Sequence, residues 1–151
     1  MPTLRLMIGL VAHDRCKRDM IDWVRQHLPL LEPHRFTATG TTGRLVAETF
    51  PTLEVACLKS GPLGGDQQMG AMIATGVLDC LIFLVDPMTP QPHDVDVKAL
   101  IRLCQLYEIP LACNRSSADL IISNPSFERI AGMAKIQPED RFADYTTRQI
   151  P

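Results

Sequence analysis

"CLIFLVDPMTPQPHDVDVKALIRLCQLY", residues 80–107, reads as one complete structural unit. Residues 80–85 are apolar without a break, and Asp86 ends the run. The run shows no polar alternation, so it suits a strand buried on both faces, as in a parallel sheet. It is also far short of the ~20 residues that cross a bilayer. Pro87, Pro90 and Pro92 then hold the chain in an irregular loop. Val97, Leu100, Ile101 and Cys104 recur at helical spacing, which predicts a helix to about residue 107.

The same strand–loop–helix order repeats outward from this unit. Toward the N-terminus, "LRLMIGLVA" (4–12) predicts a buried strand, and Met20, Ile21, Val24 and Leu28 predict a helix over 16–28 that "PLLEPH" breaks. "RFTAT" (35–39) is a second strand, "GTTG" (40–43) a turn, and "RLVAETF" the start of a short helix. Residues 53–58 form a third strand, and Met69, Met72, Ile73 and Val77 mark the helix that follows. Beyond residue 107, "IPLACN" (109–114) is a strand and "SSADLIIS" (116–123) a helix with a serine-type N-cap. About five such repeats specify an α/β fold: one domain over 1–151, three-layer αβα, with a mostly parallel Rossmann-like sheet of about five strands. The polar segment from about residue 127 is expected to be a mobile or partner-packed tail.

Composition narrows the function. The 151 residues are 46% hydrophobic and 21% charged, with net charge -2, as in an ordinary soluble globular chain. A nucleic-acid binder would carry a basic field, and aromatics at 5% are too few for base-stacking platforms. Five scattered cysteines without a CxxC fit a reducing compartment, so a cytoplasmic protein is expected, with neither nucleic acid nor membrane as partner. The N-terminal residues read as a first strand, not a signal peptide.

In a parallel sheet, ligands bind outside the carboxyl ends of the strands, so the residues after each strand are the ones to inspect. After the first come His13, Asp14 and Lys17. After the second come Thr39, Gly40, Thr41, Thr42 and Gly43. After the third come Ser60 and Gly61, leading to Asp66, and after the fourth Asp86, His93, Asp94 and Asp96. "TGTTGR" suits a small phosphate: glycines admit an anion to backbone N–H groups, and a helix start favours negative charge. It lacks both GxGxxG and a GK[ST] ending, so a nucleotide loop is not indicated, and a plain capped turn is the competing reading. Lys17 is either a counter-charge for that phosphate or a solvated helix lysine. Asp66 is either a helix N-cap or a general base. A helix start would lower its pKa and burial would raise it, and the residues alone do not decide the sign. No HExxH-type spacing points to a metal.

These stretches together resemble the methylglyoxal synthase family: "LVAHDRCK" (10–17), "TATGTTG" (37–43), "LKSGPLGGDQQMGAMI" (58–73), "LIFLVDP" (81–87), "PHDVDVKALIRL" (92–103) and "IPLACN" (109–114). The resemblance implies the methylglyoxal synthase-like form of the fold and a lyase that turns dihydroxyacetone phosphate into methylglyoxal and inorganic phosphate, with no cofactor and no metal. It implies Asp66, His93 and Asp96 as catalytic residues. It implies His13, Lys17, Thr39, Gly40, Thr41, Thr42, Ser60 and Gly61, with His93, as substrate-binding. Asp14, Asp86 and the tail Arg148 stand as supporting candidates; the resemblance implies a tail arginine that reaches a neighbouring subunit's phosphate site, and Arg141 competes with Arg148 for that place. A homohexamer, with some inhibition by phosphate, is also implied. Val95 departs from the family's frequent proline in the PHD motif. The expected mechanism has Asp66 remove a proton from the carbon that bears the phosphoester oxygen. His93 then supports the enediolate, Asp96 orients His93, and phosphate leaves. Two rival functions are a non-catalytic anion-binding module of the same fold and a phosphosugar isomerase.

Overall fold

The computed structural model describes residues 4–133 and 137–150. Five strands, β1 (Met7–Ala12), β2 (Arg35–Thr39), β3 (Glu54–Leu58), β4 (Cys80–Leu84) and β5 (Leu111–Ala112), form one sheet in the order β3-β2-β1-β4-β5. Every pairing is parallel, as expected. The alternation of side chains along a strand divides the interior in two. Ile8, Leu10 and Ala12 of β1 join Cys80, Ile82 and Leu84 of β4 in one core; Val11, Leu81 and Phe83 point into the other.

Helices cover both faces. The first core takes Met20, Trp23 and Val24 from α1 (Lys17–Gln26), Val46 from α3 (Gly40–Thr49), and Ala118 and Ile122 from α6 (Arg115–Ser123). The second takes Met69 and Ile73 from α4 (Gly65–Ala74), and Leu100 and Cys104 from α5 (Asp94–Leu106). β4 is buried at every residue because helices lie on both its sides, which is why its sequence shows no polar alternation. The three-layer αβα arrangement is therefore as the strand–helix order predicts.

Several boundaries differ from expectation for local reasons. The helix predicted over 16–28 is preceded by a tight turn (Asp14–Cys16) and stops at Gln26. The chain resumes as α2 (Leu28–Leu31), because Pro29 is tolerated only in a first helical turn. "GTTG" is not a turn before a helix but the first turn of α3 itself. Val77 lies past the end of α4 and is exposed, so it does not extend that stripe. The α6 N-cap is Asn114, whose side-chain oxygen accepts from the Ser117 amide, and not a serine. The expected tail opens as α7 (Phe127–Ala131), which buries Phe127 and Ala131 in the first core; α8 (Pro138–Arg141) and α9 (Ala143–Thr146) follow.

The chain leaves β1 for β2 and β3 on one side, then returns to place β4 on the other. β1 and β4 are thus the switch point, where the loops diverge and a crevice opens at the carboxyl ends.

Candidate active site

A cleft of about 260 Å³ lies in that crevice. Four of the five strand ends contribute to it: His13, Asp14 and Lys17 after β1, Thr39 to Thr42 at the end of β2, Ser60, Gly61 and Asp66 after β3, and His93 after β4.

Asp66 sits in the first turn of α4, but it does not cap that helix. Gly64, in the left-handed region at φ 107, holds the N-cap position. The Asp66 side chain is 3% exposed, and neither carboxylate oxygen has a hydrogen-bond partner among the described residues. Burial is the largest influence on its acidity and raises the pKa above the ordinary aspartate value; His93 opposes the rise and Asp96 adds to it. A raised pKa makes the carboxylate the stronger base. The loop is held rigidly around this carboxylate. The Lys59 amide donates to Gln68 Oε1 at 2.9 Å, and the Gly65 amide to the Ser60 carbonyl at 2.9 Å.

Two imidazoles face the acid. His93 Nε2 lies 3.6 Å from Asp66 Oδ2, and its ring stands edge-on to His13 with centroids 6.1 Å apart. His13 is fixed more tightly. Its Nδ1 accepts the Asp86 amide proton at 2.9 Å, so Nδ1 carries a lone pair and the neutral ring bears its proton on Nε2. That Nε2 is buried without a partner among the described residues, a donor ready for a ligand. Burial lowers the His13 pKa, with His93 as the next cause, and so keeps the ring neutral. Phe83 packs edge-on beneath it at 5.2 Å.

The anion end is built from α3. Gly40 adopts φ 39, and a Cβ there would fall 2.6 Å from the Ser60 Cα; only glycine lets the two loops approach this closely. The Gly40 amide is used by the Lys59 carbonyl at 3.2 Å. The Thr41 and Thr42 amides belong to the first helical turn, whose N–H groups have no intrahelical acceptor, so they face the cleft as donors at the positive helix end. Lys17 Nζ bonds Asp14 Oδ1 at 2.6 Å, which holds the Asp14 carboxyl below its usual pKa. Asp14, 93% exposed at its side chain, is thus a tether for the lysine.

Two expected residues stand elsewhere. Asp96 is outside the cleft and lines a separate cavity between α4 and α5, on the far side of Asp66. His93 Nδ1 has no partner among the described residues, so Asp96 does not make the expected orienting bond; the Asp96 amide instead donates to the His93 carbonyl at 2.9 Å. Asp86 acts through backbone and loop. Its amide fixes His13, and its Oδ1 accepts from the Met88 and Thr89 amides at 3.0 and 3.2 Å. Within the chain, Arg148 lies 3.6 Å from the Tyr145 ring centroid and Arg141 pairs with Glu108, apart from this chain's own cleft; the expected role of a tail arginine is at a neighbouring subunit's phosphate site. Conversely, Phe83 and Gln91 line it unforeseen. Nothing distinguishes Phe83 within its apolar run; Gln91 lies two residues before His93, close enough for that loop to have flagged it.

Among the described residues no group of three or more His, Cys, Asp or Glu is placed to hold a metal ion, and no helix is long and apolar enough to cross a membrane.

Residues 19–113 match the family model described as an MGS-like domain. A protein named methylglyoxal synthase from Oleidesulfovibrio alaskensis is 60% identical over 118 residues, covering 78% of this chain and 80% of its own. One of the same name from Maridesulfovibrio salexigens is 49% identical over 95% of this chain and 96% of its own. The crystal structure of methylglyoxal synthase from Elizabethkingia anophelis NUHP1 superposes with a TM-score of 0.84 at 47% identity, over 97% of this chain and 93% of that one.

Proposed function

The chain belongs to the methylglyoxal synthase family, and we propose that it converts dihydroxyacetone phosphate into methylglyoxal and inorganic phosphate with Asp66 as the base. One observation carries the assignment of roles: a buried carboxylate without hydrogen-bond partners stands beside an anion cradle and 3.6 Å from an imidazole. The Thr41 and Thr42 amides, the Thr39, Thr42 and Ser60 hydroxyls and Lys17 hold the phosphate dianion. The His13 Nε2–H donates to the ketone oxygen as negative charge gathers there, and His93 supports the same oxyanion system. Asp86 sets the His13 tautomer. Asp96 acts on Asp66 through its field, since it contributes to the raised pKa without touching the reacting groups.

Electron balance moves the proton from where the sequence reading put it. A carbanion on the phosphate-bearing carbon would give an enediolate with phosphate on the double bond, from which it cannot leave. Asp66 must instead take a proton from the hydroxymethyl carbon. The C–H electrons form the carbon–carbon double bond of the enediolate. The enediolate hydroxyl gives up its proton as it collapses to the aldehyde, the double bond shifts toward the phosphate-bearing carbon, and the C–O electrons depart with phosphate, which takes up that proton and leaves as the hydrogen phosphate dianion. The remaining enolate takes up a proton from solvent at its methylene carbon and becomes methylglyoxal, and Asp66 gives its proton to solvent.

Lys17→Ala removes a charge-assisted contact to the leaving dianion. KM for dihydroxyacetone phosphate and Ki for phosphate should both rise about tenfold. Initial-rate kinetics with phosphate as inhibitor checks this; unchanged constants remove lysine from the anion site. The pH dependence of kcat follows from the raised Asp66 pKa. The base is lost as pH falls through that pKa, so the acid limb should lie above the ordinary aspartate value of about 3.9. kcat is the quantity to follow, because the free substrate's phosphate itself titrates near pH ~6. A plateau held down to pH ~4 contradicts the shift.

A coupled assay separates the candidate activities. The proposal requires methylglyoxal and phosphate in equal amounts. Glyceraldehyde 3-phosphate without phosphate release would mean an isomerase, and no turnover a binding module. The proposal includes a homohexamer in the cytoplasm. The exposed apolar side chains of Leu63, Met88 and Val95 support self-association, and the five free thiols support a reducing compartment.

A further inference from the structure

The cleft is rich in hydrogen-bond donors. His13 Nε2–H, the α3 amides and Lys17 all give protons, which suits a substrate whose phosphate and ketone only accept. Dihydroxyacetone phosphate has one hydrogen-bond donor of its own, the hydroxymethyl O–H. Asp66 is committed to the C–H of the same carbon.

Gln91 supplies the missing kind of group. It lies in the loop between β4 and α5 and lines the cleft. Its Nε2 donates to the Thr89 carbonyl at 3.2 Å, and since a carbonyl only accepts, the amide orientation is settled. Oε1 is therefore the free end, and it makes no hydrogen bond among the described residues. The loop is anchored by the two amide bonds to Asp86 Oδ1, so this oxygen is presented from a fixed turn.

We infer that Gln91 is a specificity-determining residue whose Oε1 accepts a hydrogen bond from the substrate's hydroxymethyl group. The bond orients the carbon whose proton Asp66 removes and selects a hydroxyketone phosphate over one lacking the hydroxyl. This rests on dihydroxyacetone phosphate being the substrate.

The test compares wild type with Gln91→Met, which keeps the length and removes the acceptor. Three quantities are measured on each: KM for dihydroxyacetone phosphate, Ki for hydroxyacetone phosphate, which lacks only the hydroxyl, and Ki for inorganic phosphate. KM should rise roughly five- to tenfold, the loss expected of one neutral hydrogen bond, while both inhibition constants stay within about twofold. Retained phosphate inhibition also shows that the variant is folded. An unchanged KM overturns the inference, and so does a parallel weakening of all three, which would make Gln91 a support of the phosphate loop. Wild type that forms no methylglyoxal sinks the substrate reading itself; an active wild type with an indifferent variant sinks the Gln91 assignment alone.

Discussion

Asp66→Asn should lower kcat by about 10²–10⁴-fold while KM changes little, because a positioned proton acceptor contributes on that scale and the amide keeps the shape but not the basicity. The variant should also be more stable than wild type at neutral pH. Both Asp66 oxygens are buried without partners among the described residues, and burial raises the pKa in the folded state. A carboxyl with a raised folded pKa leaves stability intact below the unfolded pKa and costs it as pH rises through the folded one. At neutral pH the ionised side chain is thus a liability that asparagine removes. A gain of about 1 kcal/mol, roughly 2–4 °C in Tm, is expected at pH 7, shrinking as pH falls through the raised folded pKa and gone by about pH 4. Steady-state kinetics and thermal melts at the two pH values check both halves. Full turnover by the variant removes Asp66 from the base role. A loss of Tm would mean that the carboxylate stabilises the fold, contrary to its lack of partners.

Gly65→Ala should cost both stability and activity. A Cβ at residue 65 would lie 1.9 Å from the Lys59 carbonyl oxygen and 2.9 Å from the Ser60 carbonyl carbon. These are backbone atoms, so no rotamer change relieves the overlap, and the start of α4 must move. Overpacking of this kind costs about 3 kcal/mol, or roughly 6–12 °C in Tm for a chain of this size. Asp66 is the next residue, so the displacement is carried straight to the base. A shift of about 1 Å is worth roughly 10²-fold in rate. Melting curves and kcat on the purified variant test this, and wild-type values for both would show that the loop has slack the close contacts deny.

Much of this was legible in the residues. The unbroken apolar run at 80–85 announced a strand covered on both faces, and β4 is buried throughout. Placing His13, Thr39 to Thr42, Ser60 and Asp66 after successive strands predicted their meeting, because a parallel sheet delivers every such end to one edge. What stayed hidden depends on backbone geometry. Whether Asp66 caps its helix turns on Gly64 adopting φ 107, one residue before the helix, which spacing cannot reveal. Asp96 lies one turn from His93, near enough in sequence to suggest an orienting bond, yet the α5 backbone puts its carboxylate along another cavity. The His13 tautomer depends on an amide 73 residues away.

The central claim is that a buried aspartate removes one proton from the hydroxymethyl carbon of a substrate gripped by its phosphate. Dihydroxyacetone phosphate carrying two deuterons on that carbon tests it directly. The protein should release phosphate with one equivalent of methylglyoxal that has kept a single deuteron, on the aldehyde carbon. Retention of both deuterons, or their loss without release of phosphate, would contradict it.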